Sequence, residues 1–199
     1  NGQEYDSNKG TDTLAKYAKE FGLGENPGEI PESEPQISDE YSVQSAIGQG
    51  TNNFTVSQLN RYGLQLQTEE LYIADIVDKT TDVNGKVIKE YEPEVTNTID
   101  DISDNTWNLL HQGMIAMVQD MSQFNGMEIS MAGKTGTAQQ SEIHPDHVLF
   151  VGFAPAENPE IAVAVRIANG YSSVLYSRIG RDIVKSYYKI SDSINLLPE

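Results

Sequence analysis

The run Gly133-Lys134-Thr135-Gly136-Thr137-Ala138-Gln139 holds the residues of this 199-residue chain best suited to chemistry. It lies within Met127 to Gln139, which reads as a β-strand. Alternate residues of a strand turn their backbone N–H and C=O to the same edge. The amides of Thr135 and Thr137, two apart, can therefore face one cleft. An exposed strand edge can take up an extended peptide as a further strand. The Thr137 N–H can donate to a developing oxyanion. The Thr135 and Thr137 hydroxyls and the Lys134 ammonium offer donors to a substrate carboxylate. The Lys134 charge can also keep a neighbouring proton relay poised. Gly136 has no Cβ, so a ligand can come close to the backbone there. Lys134 and Thr137 are the candidate catalytic residues, and Thr135, Gly136 and Thr137 the candidate binding residues. A phosphate-binding P-loop is excluded, because it needs glycine five residues before Gly133 and Glu128 stands there.

The flanking sequence supplies the elements that position this strand. Ser103 to Met121 reads as a helix with Trp107, Leu110, Met114, Met117, Val118 and Met121 on one stripe. Asn125-Gly126 turns the chain into the strand. Two further strands follow, His147–Pro155 and Glu160–Ala168, joined at Asn158-Pro159 as an antiparallel hairpin. A closing helix from about Val174 to Tyr188 presents Ile179, Ile183 and Tyr187. Upstream, residues 1–11 read as loop. Asp12 caps a helix with Leu14, Tyr17, Ala18 and Phe21 on one face. Residues 25–40, with Pro27, Pro31 and Pro35 among acids, read as an extended, exposed loop. The glycines of Ser45–Gly50 favour a turn with close backbone approach. Asn53 or Thr55 caps a helix whose apolar face is Val56, Leu59, Tyr62 or Gly63, and Leu66. Leu71 to Lys79 reads as a strand, and Asn84-Gly85 predicts a type I′ hairpin. Helices and loops, then a three-strand meander, then a helix packed on the sheet make an α+β fold.

Composition narrows the partners. Hydrophobic residues are 38% and charged residues 22% of the chain, an ordinary soluble profile. No apolar run approaches the roughly 18 residues that cross a bilayer. The absence of cysteine excludes disulfides, thiolate catalysis and Cys-based zinc sites. Net charge is −17. Residues 1–106 carry 21 acids and 7 bases, residues 107–199 only 9 acids and 6 bases. Such an acidic surface repels phosphate backbones and argues against nucleic acid.

The chain resembles the class B, monofunctional penicillin-binding protein transpeptidases. The resemblance rests on Gly133–Gln139 and on Tyr17–Gly24, which is similar to that family's segment just after its Ser-x-Asn triplet. It rests also on Ala46-Ile47-Gly48-Gln49-Gly50 with Thr55 and Gln58-Leu59, and on Gly113-Met114 and Val118. Phe150–Pro155, Asn158-Pro159 and Ile161-Ala162-Val163 complete it, in order and spacing over residues 12–190. Asn169-Gly170-Tyr171 with Ser172-Ser173 resembles Gram-positive, clostridial-type members. The resemblance implies a β-lactamase/D,D-transpeptidase-like fold and attack by a serine on the D-Ala-D-Ala bond of peptidoglycan stem peptides. β-Lactams would stall it as the acyl-enzyme, and no cofactor is implied. Lys134 would assist the Ser-x-Asn serine and bind the carboxylate. Thr135 and Thr137 hydroxyls would hold the carboxylate or lactam, and the Thr137 amide would be half of the oxyanion hole. The extended motif adds Gln139 to the binding residues. The implied place is the extracytoplasmic face of the bacterial membrane, on an anchor outside these residues, among other cell-wall synthesis proteins.

Two pieces of that machinery have no believable counterpart here: a Ser-x-x-Lys nucleophile and the Ser-x-Asn triplet. Ser186-Tyr187-Tyr188-Lys189 lies after the Lys-Thr-Gly strand, at the end of a surface helix. Ser103-Asp104-Asn105 opens a helix, so Ser103 is most simply an N-cap, worth about 1 kcal/mol. Ser193-Ile194-Asn195 is in the tail. His144-Pro145-Asp146-His147 lacks further ligands and reads as loop polarity rather than a metal site. His111 borders the core, and Trp107 with the methionine stripe is core. The chain therefore reads as the C-terminal portion of one transpeptidase domain over 1–199, with 1–11 and 191–199 as loop or tail. It is expected to carry three strands of a five-stranded sheet and, alone, not to be acylated. The competing reading is a non-catalytic module of the same fold, a β-lactam or peptidoglycan sensor or a scaffold.

Overall fold

The structure, a computed structural model, describes residues 5–26, 31–72, 77–140 and 142–190. The chain divides into two compact units, Asn1–Asp100 and Asp101–Glu199.

In the first unit, α1 (Ser7–Glu20) begins five residues before the expected cap at Asp12. Asp6 is the cap. Its carboxylate accepts from the Asn8 and Lys9 amides at 3.0 and 3.2 Å, satisfying donors that a helix start leaves free. Residues 7–11 are thus helix, not loop; residues 191–199 lie outside the described residues. After the short α2 (Ser42–Ser45), α3 (Val56–Thr68) starts at a capping box. Thr55 Oγ1 accepts from Gln58 N, and Gln58 Oε1 accepts from Thr55 N at 2.9 Å.

α3 buries Gly63 and Leu66 of the apolar face expected, and beside them a polar stripe. Gln58 and Gln65 are 0% exposed, while Val56 is exposed. Gln58 Nε2 donates to Ser33 O at 2.9 Å and Gln65 Nε2 to Glu20 O at 2.8 Å. Between them, Arg61 lies 3.1 Å from Glu32 Oε1, with the two side chains 6% and 5% exposed. This polar stripe faces inward because it supplies partners to the loop around Glu32 and to the carboxyl end of α1, which otherwise lack them. The acidic loop is correspondingly not all exposed. Glu32 and Ser38 are tucked in, and Gln36 bridges to Asn53. Gly50, with φ 76°, brings its backbone so close to Ser45 and Ser38 that a Cβ would meet their hydroxyls at 2.5 and 2.9 Å. That is the close approach the glycines foretold.

Burial alone pushes the Glu32 carboxyl up. The Ser57 and Thr55 hydroxyls and the Arg61 guanidinium outweigh it and hold the group below the usual 4.5. A lowered folded pKa contributes stability that is fully present above the unfolded value and is lost as pH falls through the folded one. The urea midpoint of the first unit is expected to fall on acidification from pH 5 towards 3, and Glu32→Gln to flatten that limb. Parallel acid limbs for the two proteins would overturn this.

Short strands complete the unit. β1 (Glu70–Tyr72) and β4 (Val95–Thr98) pair antiparallel, as do β2 (Lys79–Thr81) and β3 (Val87–Glu90). The strand expected over Leu71–Lys79 is therefore two elements in different ladders, and residues 73–76 lie outside the described set. The hairpin at Asn84-Gly85 forms, but only Gly85 takes positive φ, 83°. A type I′ turn needs both central residues there. The Asp82 carboxylate decides otherwise: it accepts from Asn84 N and Lys86 N at 2.8 and 2.9 Å and gathers a longer loop.

The second unit opens with α4 (Asp104–Gln119), capped by Ser103 as expected. Trp107, Met114, Val118 and Met121 are buried, while Leu110 is exposed. A 3-10 turn, Ser122–Phe124, and bends follow, so β5 is Ala132–Ala138, shorter than the expected strand from Met127. β6 (His147–Ala154) and β7 (Ile161–Ile167) then form the antiparallel meander β5-β6-β7. α5 (Ser173–Tyr187) packs on it.

The face α5 turns inward is Ser177, Gly180 and Val184, whereas Ile183 and Tyr187 are exposed. The reason is Phe150, 1% exposed on β6. A Cβ at Gly180 would meet its ring at 2.6 Å, and one at Gly133 would meet it at 2.7 Å. Small residues let helix and strand close around one aromatic ring. Phe150 and Phe153 are three apart on β6, so they point to opposite faces. Phe150 faces α5, and Phe153 meets His111 of α4 with ring centroids 5.8 Å apart. The sheet thus lies between α4 and α5.

Candidate active site

β5 has one neighbour. It pairs with β6 through Lys134↔Val151, Thr135↔Phe150, Gly136↔Leu149 and Thr137↔Val148, and its other edge is unpaired among the described residues. The strand passes from buried Ala132 and Gly133 to exposed Lys134 and Thr137. Alternation splits its side chains between the two faces. Thr135 and Thr137 stand with Phe150 on the α5 face, and Lys134 and Gly136 on the α4 face. Gln139 lies past the strand end and is exposed.

Each expected site residue except Gln139 therefore sits on one open edge strand. Lys134 Nζ donates to Thr135 O at 2.8 Å, so the ammonium rests over its own strand. No carboxylate among the described residues pairs with it, and its charge is available to an incoming anion. Among the described residues, a Cβ built on Gly136 would meet only Leu149, at an ordinary 3.5 Å. The interior of this chain does not require glycine at that position, unlike Gly133 or Gly152, where Phe150 and backbone oxygens stand within about 3 Å. The space over Gly136 stays open to a ligand.

The Thr137 hydroxyl donates to Ser173 Oγ at 3.1 Å, where α5 begins. Sequence reading placed Ser173 in a resembling stretch but gave it no role, because 36 residues separate the partners. His147, at the start of β6, accepts the Asn169 N–H on Nδ1 at 3.1 Å and meets Gln140 Oε1 with Nε2. It ties two loops together at the end of β5.

The other serines of the motif-like triplets and tetrads lie away from β5 where they are described. Ser103 Oγ accepts the Thr106 N–H at 3.3 Å, the geometry of a helix cap. Ser186 and Lys189 are exposed at the carboxyl end of α5. Ser193 lies outside the described residues. A cavity of about 560 Å³ belongs to the first unit and is lined by Lys19, Gly24, Arg61 and Tyr72 among others. It contains none of the β5 residues. No described helix is long and apolar enough to cross a membrane.

Comparison with known proteins agrees with this geometry. Residues 3–185 match the family model for the penicillin-binding protein transpeptidase domain. The chain is 31% identical to penicillin-binding protein 2B of Streptococcus pneumoniae, over 85% of this chain and 28% of that protein. It is 28% identical to the peptidoglycan D,D-transpeptidase MrdA of Acinetobacter baumannii, over 81% of this chain and 29% of the relative. The solved structure of the pneumococcal 2B protein superposes with a TM-score of 0.80 at 26% identity, covering 96% of this chain and 36% of that one. The chain thus spans under a third of the length of these two relatives. An open Lys-Thr-Gly edge strand between two helices, and a family match along nearly the whole sequence, give one conclusion: the chain belongs to the penicillin-binding protein transpeptidase family.

Proposed function

We propose that this chain forms the Lys-Thr-Gly wall of the active-site cleft of a serine D,D-transpeptidase acting on D-Ala-D-Ala stem peptides of peptidoglycan. The observation that carries this reading is the unpaired β5 edge, where Lys134, Thr135 and Thr137 surround an uncovered Gly136. The stem peptide lies along that edge in extended form. Its terminal carboxylate meets the Lys134 ammonium and the threonine hydroxyls. A serine outside this chain attacks the penultimate carbonyl, whose oxygen becomes an oxyanion facing the Thr137 N–H. The C–N bond breaks, D-Ala leaves with a proton, and the acyl-enzyme passes to an amine of a neighbouring stem. Lys134 poises the proton relay through the Ser-x-Asn serine, also outside this chain, and Gln139 contacts the substrate beyond the strand. A β-lactam carries an equivalent carboxylate and carbonyl and remains as the acyl-enzyme. The site works at the extracytoplasmic face of the membrane, among other cell-wall synthesis proteins.

The test is intact-mass spectrometry after incubation with a labelled penicillin. The full-length protein is expected to gain one covalent adduct on a serine outside these residues, and the 199-residue chain none. A full-length protein that gains no adduct would overturn the reading in favour of a non-catalytic module.

A further inference from the structure

We infer that Ser173 is a positioning residue for substrate carboxylate recognition, acting through the Thr137 hydroxyl. This rests on the reading of β5 as the carboxylate-binding edge. The turn after β7 and the start of α5 is held against the end of β5 at two points. Thr137 Oγ1 and Ser173 Oγ are 3.1 Å apart. Asn169 N–H donates to His147 Nδ1 at 3.1 Å, and His147 stands opposite Ala138 in the register. With Nδ1 accepting, the neutral ring carries its proton on Nε2, towards Gln140 Oε1. Ser172 caps α5 by accepting the Leu175 N–H at 3.3 Å, leaving the Ser173 side chain for Thr137. Gly180 locks the same helix against Phe150. The Ser173 hydroxyl therefore sits on a fixed support, while Thr137 is exposed at the cleft edge.

In the free chain Thr137 donates to Ser173. A hydroxyl has one hydrogen and two lone pairs and rotates to suit its partners. When a carboxylate arrives, the Thr137 hydrogen turns to it, and Ser173 reverses to donate to Thr137 Oγ1. The result is the chain Ser173 O–H to Thr137 O–H to carboxylate, in which each bond polarises the next. With Ser173 present, Thr137 exchanges a donor role for an acceptor role at the same site.

The experiment uses the full-length protein and pre-steady-state acylation by benzylpenicillin and by its methyl ester, separating the dissociation constant of the initial complex from the acylation step. Ser173→Ala is expected to raise the dissociation constant for the free acid about fivefold, the worth of about one hydrogen bond. The ester should change little, and Ser173→Thr should restore acid binding. Ser172→Ala, which removes the helix cap without touching Thr137, should lower the unfolding midpoint and leave acid binding as it was. The inference is overturned if Ser173→Ala binds the acid normally, if it weakens acid and ester alike, or if Ser172→Ala gives the same selective loss. A wild-type protein that is not acylated at all would remove the transpeptidase reading and this inference with it. Normal acylation with a silent Ser173 would remove the inference alone.

Discussion

Lys134→Ala in the full-length protein is expected to lower the rate constant for acylation by a penicillin by about 10³-fold, the middle of the range for disabling a positioned proton relay. The same substitution should leave the urea midpoint nearly unchanged. Lys134 is exposed, and its ammonium donates to the carbonyl of its own neighbour, Thr135, so folding does not depend on it. The two readouts together separate a chemical role from a structural one. Lys134→Arg refines the test. A guanidinium keeps the positive charge for the carboxylate but does not give up a proton. Recovery of initial binding without recovery of acylation places a proton transfer on Lys134 itself; recovery of both leaves it an electrostatic role, as carboxylate anchor and as the charge that poises the relay. A loss of less than about threefold in Lys134→Ala would remove it from the candidate catalytic residues, since even a weak acid–base contribution exceeds that.

The second large effect concerns stability. Phe150→Ala is expected to cost about 3–5 kcal/mol, because it empties a well-packed space between sheet and helix. That is a large part of the roughly 5–15 kcal/mol that holds an ordinary domain together. Phe150 is 1% exposed and shares a core with Val118, Met121, Phe124 and Val184. Its ring lies 5.8 Å from that of Phe124. The complementary change is Gly180→Ala, which places a methyl 2.6 Å from the Phe150 ring and should cost about 1–3 kcal/mol by overpacking. Phe150→Leu with Gly180→Ala should then cost less than the sum of the two single changes, since the smaller side chain makes room. Urea unfolding of the four proteins measures this, and strict additivity would show that helix and ring do not meet as described. Phe150 stands opposite Thr135. Its loss should loosen the support of the site as well as the fold.

Much of this was legible in the chain because it is encoded locally. Ser103 lies three residues before the amide it caps, and the alternation of Ile161, Val163, Val165 and Ile167 marks a strand without reference to anything distant. The Lys134–Thr137 spacing fixed which groups share an edge and which share a face, because strand geometry leaves no alternative. What misled was also local. Apolar spacing pointed to Val56 as an inner residue of α3 and to Ile183 as an inner residue of α5. Both are exposed; beside the expected Gly63 and Leu66, α3 buries Gln58, Arg61 and Gln65, and α5 buries Ser177, Gly180 and Val184. Their reasons lie far along the chain: Gln58 answers Ser33, Gln65 answers Glu20, and Gly180 answers Phe150.

The sequence by itself determined the family, the α+β order of elements and the place of the Lys-Thr-Gly motif on a strand, since motif, spacing and periodicity are properties of neighbouring residues. Only the tertiary structure decided that this strand has one edge unpaired and that no close neighbour needs Gly136 to be glycine, both among the described residues, and that Ser173 meets Thr137. Those facts depend on which distant segments the fold brings together. A backbone polar group or a large ring is satisfied by whatever packs against it, and the pattern of its own neighbours does not specify that partner.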